Sequence, residues 1–163
     1  MLTSRRAGAA VAGSPATAAS QDAPKPMLLY LVKQVELAVR AHLDSLLRPA
    51  GLTALQYTAL TVLERHPDLS AAQLARNSFV TNQSMADMII ALEARGLIER
   101  HRDQADRRRL VVALTAAGHH LLDGYRDRVA ALEAEMLTGL SAEEVSGLRH
   151  NLHTCHANLA GKA

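Results

Sequence analysis

From Met27 onward, apolar residues recur at steps of three and four. The first run holds Leu28, Leu31, Val32, Val35, Val39, Leu43 and Leu46, which share one side of an α-helix, and Pro49 to Gly51 ends it. A second helix is predicted within LTALQYTALTVLERHPDLS. Thr53 and Gln56 form a capping-box pair at its head, Leu60 and Leu63 continue the apolar side, and His66-Pro67-Asp68 stops it. Ser70 with Gln73 repeats the pair at the start of a short helix, SAAQLARN. After a loop, a fourth helix takes Thr81 as its N-cap and turns Met85, Ile89 and Leu92 inward. It ends at Gly96, a residue that tolerates the left-handed step past a helix end.

The period then changes from 3.6 to 2. GLIERHR and RLVVALT read as two strands, the second with Leu110, Val112 and Leu114 on one face, joined by a hairpin tip centred on Asp103–Asp106. From Thr115 a long helical pattern runs through Leu121, Leu122, Tyr125, Val129, Leu132 and Met136, until Gly139-Leu140 interrupts it. Ser141 with Glu144 caps a last helix, in which Val145, Leu148, Leu152, Cys155 and Leu159 form the narrow seam of a coiled-coil-like contact. There is no internal repeat. The expected fold is mostly α with a small β-wing, in a single domain over residues 27–160. A winged helix-turn-helix core occupies 53–114, flanked by helices within 27–48 and 119–160. Those outer helices carry apolar stripes that nothing within one chain obviously covers, which points to a homodimer.

Composition sharpens this picture. One Phe, three Tyr and no Trp in 163 residues leave the packing to Leu, Ala and Val, which favours helices over a β-sandwich. A net charge of +2 and a pI near 9.0 are only mildly basic, so a nucleic-acid partner requires locally concentrated charge. The single cysteine, Cys155, excludes an internal disulfide and suits a cytoplasmic protein. No apolar run approaches the ~20 residues that span a bilayer, so no membrane partner is expected. Residues 1–26, rich in small residues and proline, read as a disordered tail. An export signal or transit peptide fits less well, because the stretch after Arg5-Arg6 is only weakly hydrophobic.

Two places carry candidate chemistry. On the helix from Thr81, Asn82, Gln83, Ser84 and Asp87 face away from Met85, Ile89 and Leu92. Asn and Gln make bidentate contacts to adenine, Ser serves base or phosphate, and a helix N-terminus favours phosphate. Such residues are common at any helix start, and only the wing that follows gives them weight. At the hairpin tip, Arg107 and Arg108 suit the negative potential of a minor groove. Asp103 and Asp106 share that turn, where one can hold an arginine by a charge-assisted hydrogen bond. Arg102, Arg109 and His101 add phosphate-facing charge. An arginine run in isolation is ordinarily a solvated surface.

The segment 70–118 resembles the winged-helix core of the multiple-antibiotic-resistance regulator (MarR) family. The likeness rests on GLT-x-x-Q-Y at 51–57, S-x-x-x-L-A at 70–75, LEARGLIER at 92–100, and D-x-x-D-R-R followed by L-T-x-x-G ending at Gly118. It extends over about residues 27–160 in the family's element order. The resemblance implies a homodimeric, sequence-specific transcription regulator whose first and last helices interlock. It implies a pseudo-palindromic double-stranded operator, with Asn82, Gln83, Ser84 and Asp87 in the major groove. Arg108 is then the wing-tip arginine, Arg107 the neighbouring candidate, and Arg76, Ser78, Arg102 and Arg109 are phosphate supports. No cofactor is implied. A small ligand, often a phenolic or aromatic acid, is expected between the dimerisation helices and the winged helix. Here His42, Leu46, Tyr57 and the start of the helix after Thr115 would bound it. Two departures stand out. Asp87 occupies a position where many relatives are basic or neutral, so it either accepts from a cytosine amino group or restrains an arginine. Gln104-Ala105 lacks the proline common in this turn, which predicts a looser tip.

Other classes fit less well. An enzyme needs a nucleophile or a carboxylate pair beside a general base, and no Ser-His, phosphate-loop or HExxH pattern is present. A winged helix used only for protein–protein contacts is favoured by Asp87 and opposed by the arginine tip. A metal-responsive regulator would draw on HNLHTCH at 150–156, with His42, His119 and His120 as further donors. Cys155 lies on the seam, however, while His150, His153 and His156 fall mostly outside it, so no metal site is predicted. Cys155 itself reads as a small apolar residue.

Overall fold

The structure, a computed structural model, describes residues 26–160. The tail expected over residues 1–26 lies outside them but for Pro26. The elements are α1 (Leu28–Leu47), a 3-10 turn (Arg48–Ala50), α2 (Ala54–Arg65), α3 (Ala71–Asn77) and α4 (Asn82–Ala94). An antiparallel hairpin of β1 (Ile98–Arg102) and β2 (Leu110–Leu114) follows, then α5 (Ala116–Met136) and α6 (Ala142–Ala160).

Helices α2 to α6 begin where a capping side chain provides partners for their free N–H groups, whereas α1 has no side-chain cap at Met27. Thr53 Oγ1 accepts from the Gln56 amide at 3.2 Å while Gln56 Oε1 accepts from the Thr53 amide at 3.0 Å. Ser70 and Gln73 do the same for α3, and Ser141 and Glu144 for α6. Thr81 Oγ1 accepts from the Ser84 amide at 3.1 Å and so starts α4. Between α1 and α2, Gly51 takes a left-handed φ of 63°, the conformation for which glycine is suited. Arg95, one residue beyond α4, reaches back to this turn and donates to the carbonyls of both Ala50 and Gly51.

The core gathers Leu47, Leu60 and Leu63 of α1 and α2, Leu74 of α3, Met85, Ile89 and Leu92 of α4, Ile98 and Val112 of the hairpin, and Leu122 of α5. Leu47 is the one fully buried residue of α1, at the end where the helix meets this core. The hairpin register pairs Ile98 with Leu114 and Arg102 with Leu110. Its root is attached to the α2–α3 loop, because the Val112 amide donates to Leu69 O at 2.8 Å. The expected single apolar face of β2 needs correction. Val111 and Val112 are both buried although they point to opposite faces, while Leu110 is exposed. The strand is covered on both faces at Val111 and Val112, and only Leu110, beside the tip, is exposed.

The start of α5 rests directly on backbone. Thr115 Oγ1 accepts from the Gly118 amide at 3.1 Å and donates to Gly96 O at 2.6 Å, and the Thr115 amide donates to Leu97 O. A Cβ on Gly118 would stand 2.2 Å from Leu97 O, so the residue must be glycine for this approach. The outer helices are different. Leu28, Val32 and Val35 of α1 and Leu148, Leu152 and Leu159 of α6 are all exposed.

Candidate nucleic-acid interface

Helix α4 is sorted by its own periodicity. Met85, Met88, Ile89 and Leu92 are buried, and Asn82, Gln83, Ser84 and Asp87 are exposed in its first two turns. The Thr81 hydroxyl donates to Ser84 Oγ at 2.9 Å, so the cap also orients a side chain on the outer face. Asp87 does not restrain an arginine, as the sequence allowed. Its Oδ1 accepts from Gln83 Nε2 at 3.5 Å one turn earlier, and no ion pair among the described residues includes it. Gln83 keeps its carbonyl oxygen and a second N–H for a base edge.

The wing tip is held by its aspartates. Asp103 Oδ1 accepts from the Ala105 amide at 2.8 Å and Asp106 Oδ1 from the Arg108 amide at 3.0 Å. These side-chain turns do the work that a proline does elsewhere, so the tip is tied, not loose. The Asp103 carboxyl is held below the usual carboxylate range, chiefly by the Ala105 N–H, with the Asp106 N–H and the Arg109 charge adding to it. The arginine it holds is Arg109, at 3.2 Å. Arg109 also donates to Gln73 Oε1 at 3.1 Å, which joins the tip to the head of α3. Arg107 and Arg108 are exposed and belong to no ion pair among the described residues. The prepared arginine is thus Arg109, while the two tip arginines keep their charge for a partner. The Arg102 side chain makes only a long contact, 3.4 Å, to Arg108 O.

His101 has a role the sequence did not reveal. Its Nε2 lies 2.8 Å from Asp68 Oδ1, and its Nδ1 lies 3.1 Å from Arg102 O. With an acceptor at each ring nitrogen, the protonated form is favoured. Its pKa rises above the ordinary histidine value, first through the Arg102 carbonyl, then through Asp68 and Glu99, against partial desolvation. The pair links β1 to the α2–α3 loop, where Asp68 itself sits at a left-handed φ of 60°. His101 therefore fastens the wing to the helix-turn-helix, and only the fold brings Asp68 to it.

Three other expectations change. Ser78 is 1% exposed and cannot touch a phosphate, because the turn after α3 folds it under as the helix C-cap, with its amide returned to Leu74 O. Arg76 is exposed, but it lines a cleft with Arg65, His66 and Asn77 on the α2 side of α3. His42 and Leu46 do share a cleft, of about 460 Å³, but its other wall is Arg128, Ala131, Leu132 and Glu135 in the C-terminal half of α5, not the start. Tyr57 is absent from that wall. It lies in the core, where burial, with Glu64 nearby, pushes its hydroxyl pKa up. Among the described residues no group of three or more His, Cys, Asp or Glu side chains is placed to hold a metal ion, and Cys155 is exposed on α6.

Comparison with known proteins agrees with this geometry. The sequence model of the MarR family matches residues 50–109. The chain is 35% identical over 125 residues to the HTH-type transcriptional repressor Rv2887 of Mycobacterium tuberculosis, covering 77% of this chain and 88% of that relative. The solved transcriptional regulator PA3341 superposes with a TM-score of 0.77 at 28% identity, covering 83% of this chain and all of that one. CouR from Rhodococcus jostii RHA1, solved with p-coumaroyl-CoA bound, superposes with a TM-score of 0.72 at 25% identity, over 78% and 90% of the two chains.

Proposed function

The chain belongs to the MarR family, and from that premise we propose that it works as a homodimer, with α4 in a major groove and the wing tip in the neighbouring minor groove. It is a DNA-binding transcription regulator. One observation carries the docking mode: an outward face of Asn82, Gln83, Ser84 and Asp87 on a buried-backed helix, beside a tied hairpin whose Arg107 and Arg108 have no ion-pair partner among the described residues. Arg102 and Arg109 sit at the base of the tip as phosphate supports, Arg109 at the cost of its contact to Asp103.

Dimerisation is supported by the exposed apolar residues of α1 and α6, the segments within 27–48 and 119–160. A two-fold pair of such chains reads half-sites one helical turn apart, ~34–36 Å, on a pseudo-palindromic operator. The His42–Leu46 cleft between α1 and α5 is a candidate effector site, and the ligand bound to CouR supports looking for a small molecule there. The proposed compartment is the cytoplasm, where such a regulator meets DNA.

The test is fluorescence anisotropy on DNA from the protein's own upstream region, wild type beside Arg108→Ala, over a salt series. Tight wild-type binding with loss of affinity and of part of the salt slope in the variant supports the wing contact. If neither protein binds that DNA, nor any product of a random-sequence selection, the reading fails. A protein-contact winged helix, which the acidic Asp87 on the outer face favours, then takes its place.

A further inference from the structure

Helix α4 keeps one large apolar side chain out of the core. Met85, Met88, Ile89 and Leu92 are buried, but Ile90 is 61% exposed. Nor does it stand at the margin of the buried face. It follows Gln83 by seven residues and Asp87 by three, so the three share the outward side of the helix. Ala86, one turn before Ile90, is exposed as well and extends the apolar strip toward the wing.

The strip borders a notch of about 210 Å³ between α4 and the hairpin. Ala86 and Ile90 line it from α4, Leu110, 47% exposed, from β2, and Ala71 from the head of α3, with the buried Ile89 and Val112 completing it. Arg100 is the single polar residue of the lining, and its guanidinium is already paired with Glu93, Nε to Oε1 at 3.1 Å. The notch therefore offers carbon, not hydrogen bonds, to whatever meets it.

Its place in the fold says what that is. The notch lies between α4 and the wing, the two elements placed on DNA above, and is continuous with the Gln83–Asp87 face. The base edges of a major groove are donors and acceptors with one exception, the C5-methyl group of thymine. An exposed isoleucine gains where that methyl is present, whereas against any other base it strips water from polar atoms and gives nothing back. We propose that Ile90, with Ala86, reads thymine, the methyl packing into the notch toward Leu110. Ile90 is then a specificity-determining residue, and α4 divides its reading along one face: hydrogen-bonding groups in the first two turns, a methyl contact in the third. This inference deepens the docking mode proposed above and rests on it.

Deoxyuridine in place of thymidine removes the methyl and leaves every hydrogen-bonding group where it was. The test is fluorescence anisotropy of the full chain on an operator obtained by random-sequence selection, with uracil placed at one thymine at a time in one half-site. At least one position is expected to lose about four-fold in affinity, the worth of one buried methyl group. Ile90→Ala, a change at an exposed position, is expected to bind the thymine and uracil forms of that position equally. Arg108→Ala, at the wing tip, is expected to weaken both forms and keep their four-fold ratio. The inference is overturned if no thymine is sensitive to its methyl, or if Ile90→Ala keeps the wild-type ratio. A ratio lost in Arg108→Ala too would trace it to general loosening and count against Ile90. Equal weakening of every DNA by Ile90→Ala means that the notch packs on deoxyribose, which is the same at every base, and also defeats the reading of thymine. A protein that binds no DNA at all sinks the docking mode and this inference with it. One that binds its operator yet ignores every methyl sinks this inference alone.

Discussion

Two glycines of α5 are expected to respond to alanine in opposite directions. At Gly118 a Cβ would stand 2.2 Å from Leu97 O and 3.0 Å from the Leu114 side chain, whereas at Gly124 it meets nothing within 4 Å. Bringing the first contact out to 3.0 Å needs a movement of about 0.8 Å between the start of α5 and the backbone at Leu97. That carbonyl also accepts the Thr115 amide at 3.2 Å, so the movement disturbs the helix cap as well. Overpacking costs about 1–3 kcal/mol, and against a backbone carbonyl that cannot turn aside the upper part of that range applies, about 2–3 kcal/mol, while alanine's better helix propensity returns ~1 kcal/mol. The net loss for Gly118→Ala is therefore about 1–2 kcal/mol, a fall in Tm of roughly 3–8 °C for a domain of this size. Gly124→Ala keeps only the propensity term and gains about 0.5–1 kcal/mol. Thermal melts followed by circular dichroism read both, at matched protein concentration, because self-association makes Tm concentration-dependent. A Gly118→Ala protein that melts at or above wild type refutes the close-approach argument. If both variants fall, alanine in α5 is at fault and the Leu97 contact is not.

Other expectations concern the interface. Arg108→Ala should lower operator affinity across sequences and reduce the magnitude of the salt slope by about 1, as one phosphate-region contact is lost; an unchanged slope removes Arg108 from the groove. His101 binds its proton more tightly in the folded chain, so its link to Asp68 is complete below the ordinary histidine pKa of about 6.5 and is lost as pH rises through the raised value. Anisotropy over pH should show operator affinity falling across that window in wild type and not in His101→Asn; parallel curves would detach the pair from DNA binding. Leu152→Glu places a charge on the exposed seam of α6 and should shift the chain toward monomer in sedimentation velocity, with weaker operator binding. A dimer of unchanged stability would exclude that seam from the interface.

What could be read from the sequence was local. Thr53 with Gln56, Ser70 with Gln73 and Ser141 with Glu144 each lie within one turn of helix, so their spacing specifies the cap before any tertiary contact forms. The 3.6 period of α4 likewise separated Met85, Ile89 and Leu92 from Asn82, Gln83, Ser84 and Asp87. Errors arose where a distant element decided the outcome. Ser78 looked like a surface residue after a short helix, and the turn buried it. Tyr57 looked like a cavity wall, and α2 turned it into the core. Val111 is buried because β2 is covered on its second face as well, which alternation within one strand cannot announce. The tip arginines were distinguished only by position, since Gln73 and Asp103 both select Arg109. Gly118 was legible as a motif, but its reason, the Leu97 carbonyl against it, was not.

The Arg95 clamp has a mechanical result. A 3-10 turn ending in a left-handed glycine is a natural elbow, and here it stands between the long first helix and α2. The Arg95 guanidinium bridges both carbonyls of that elbow from the far end of α4. The elbow is thereby splinted to the rod that it would otherwise swing past. Swinging α1 about this turn would therefore cost two charge-assisted hydrogen bonds to the end of α4, in addition to the contacts that α1 makes with α2 and α5.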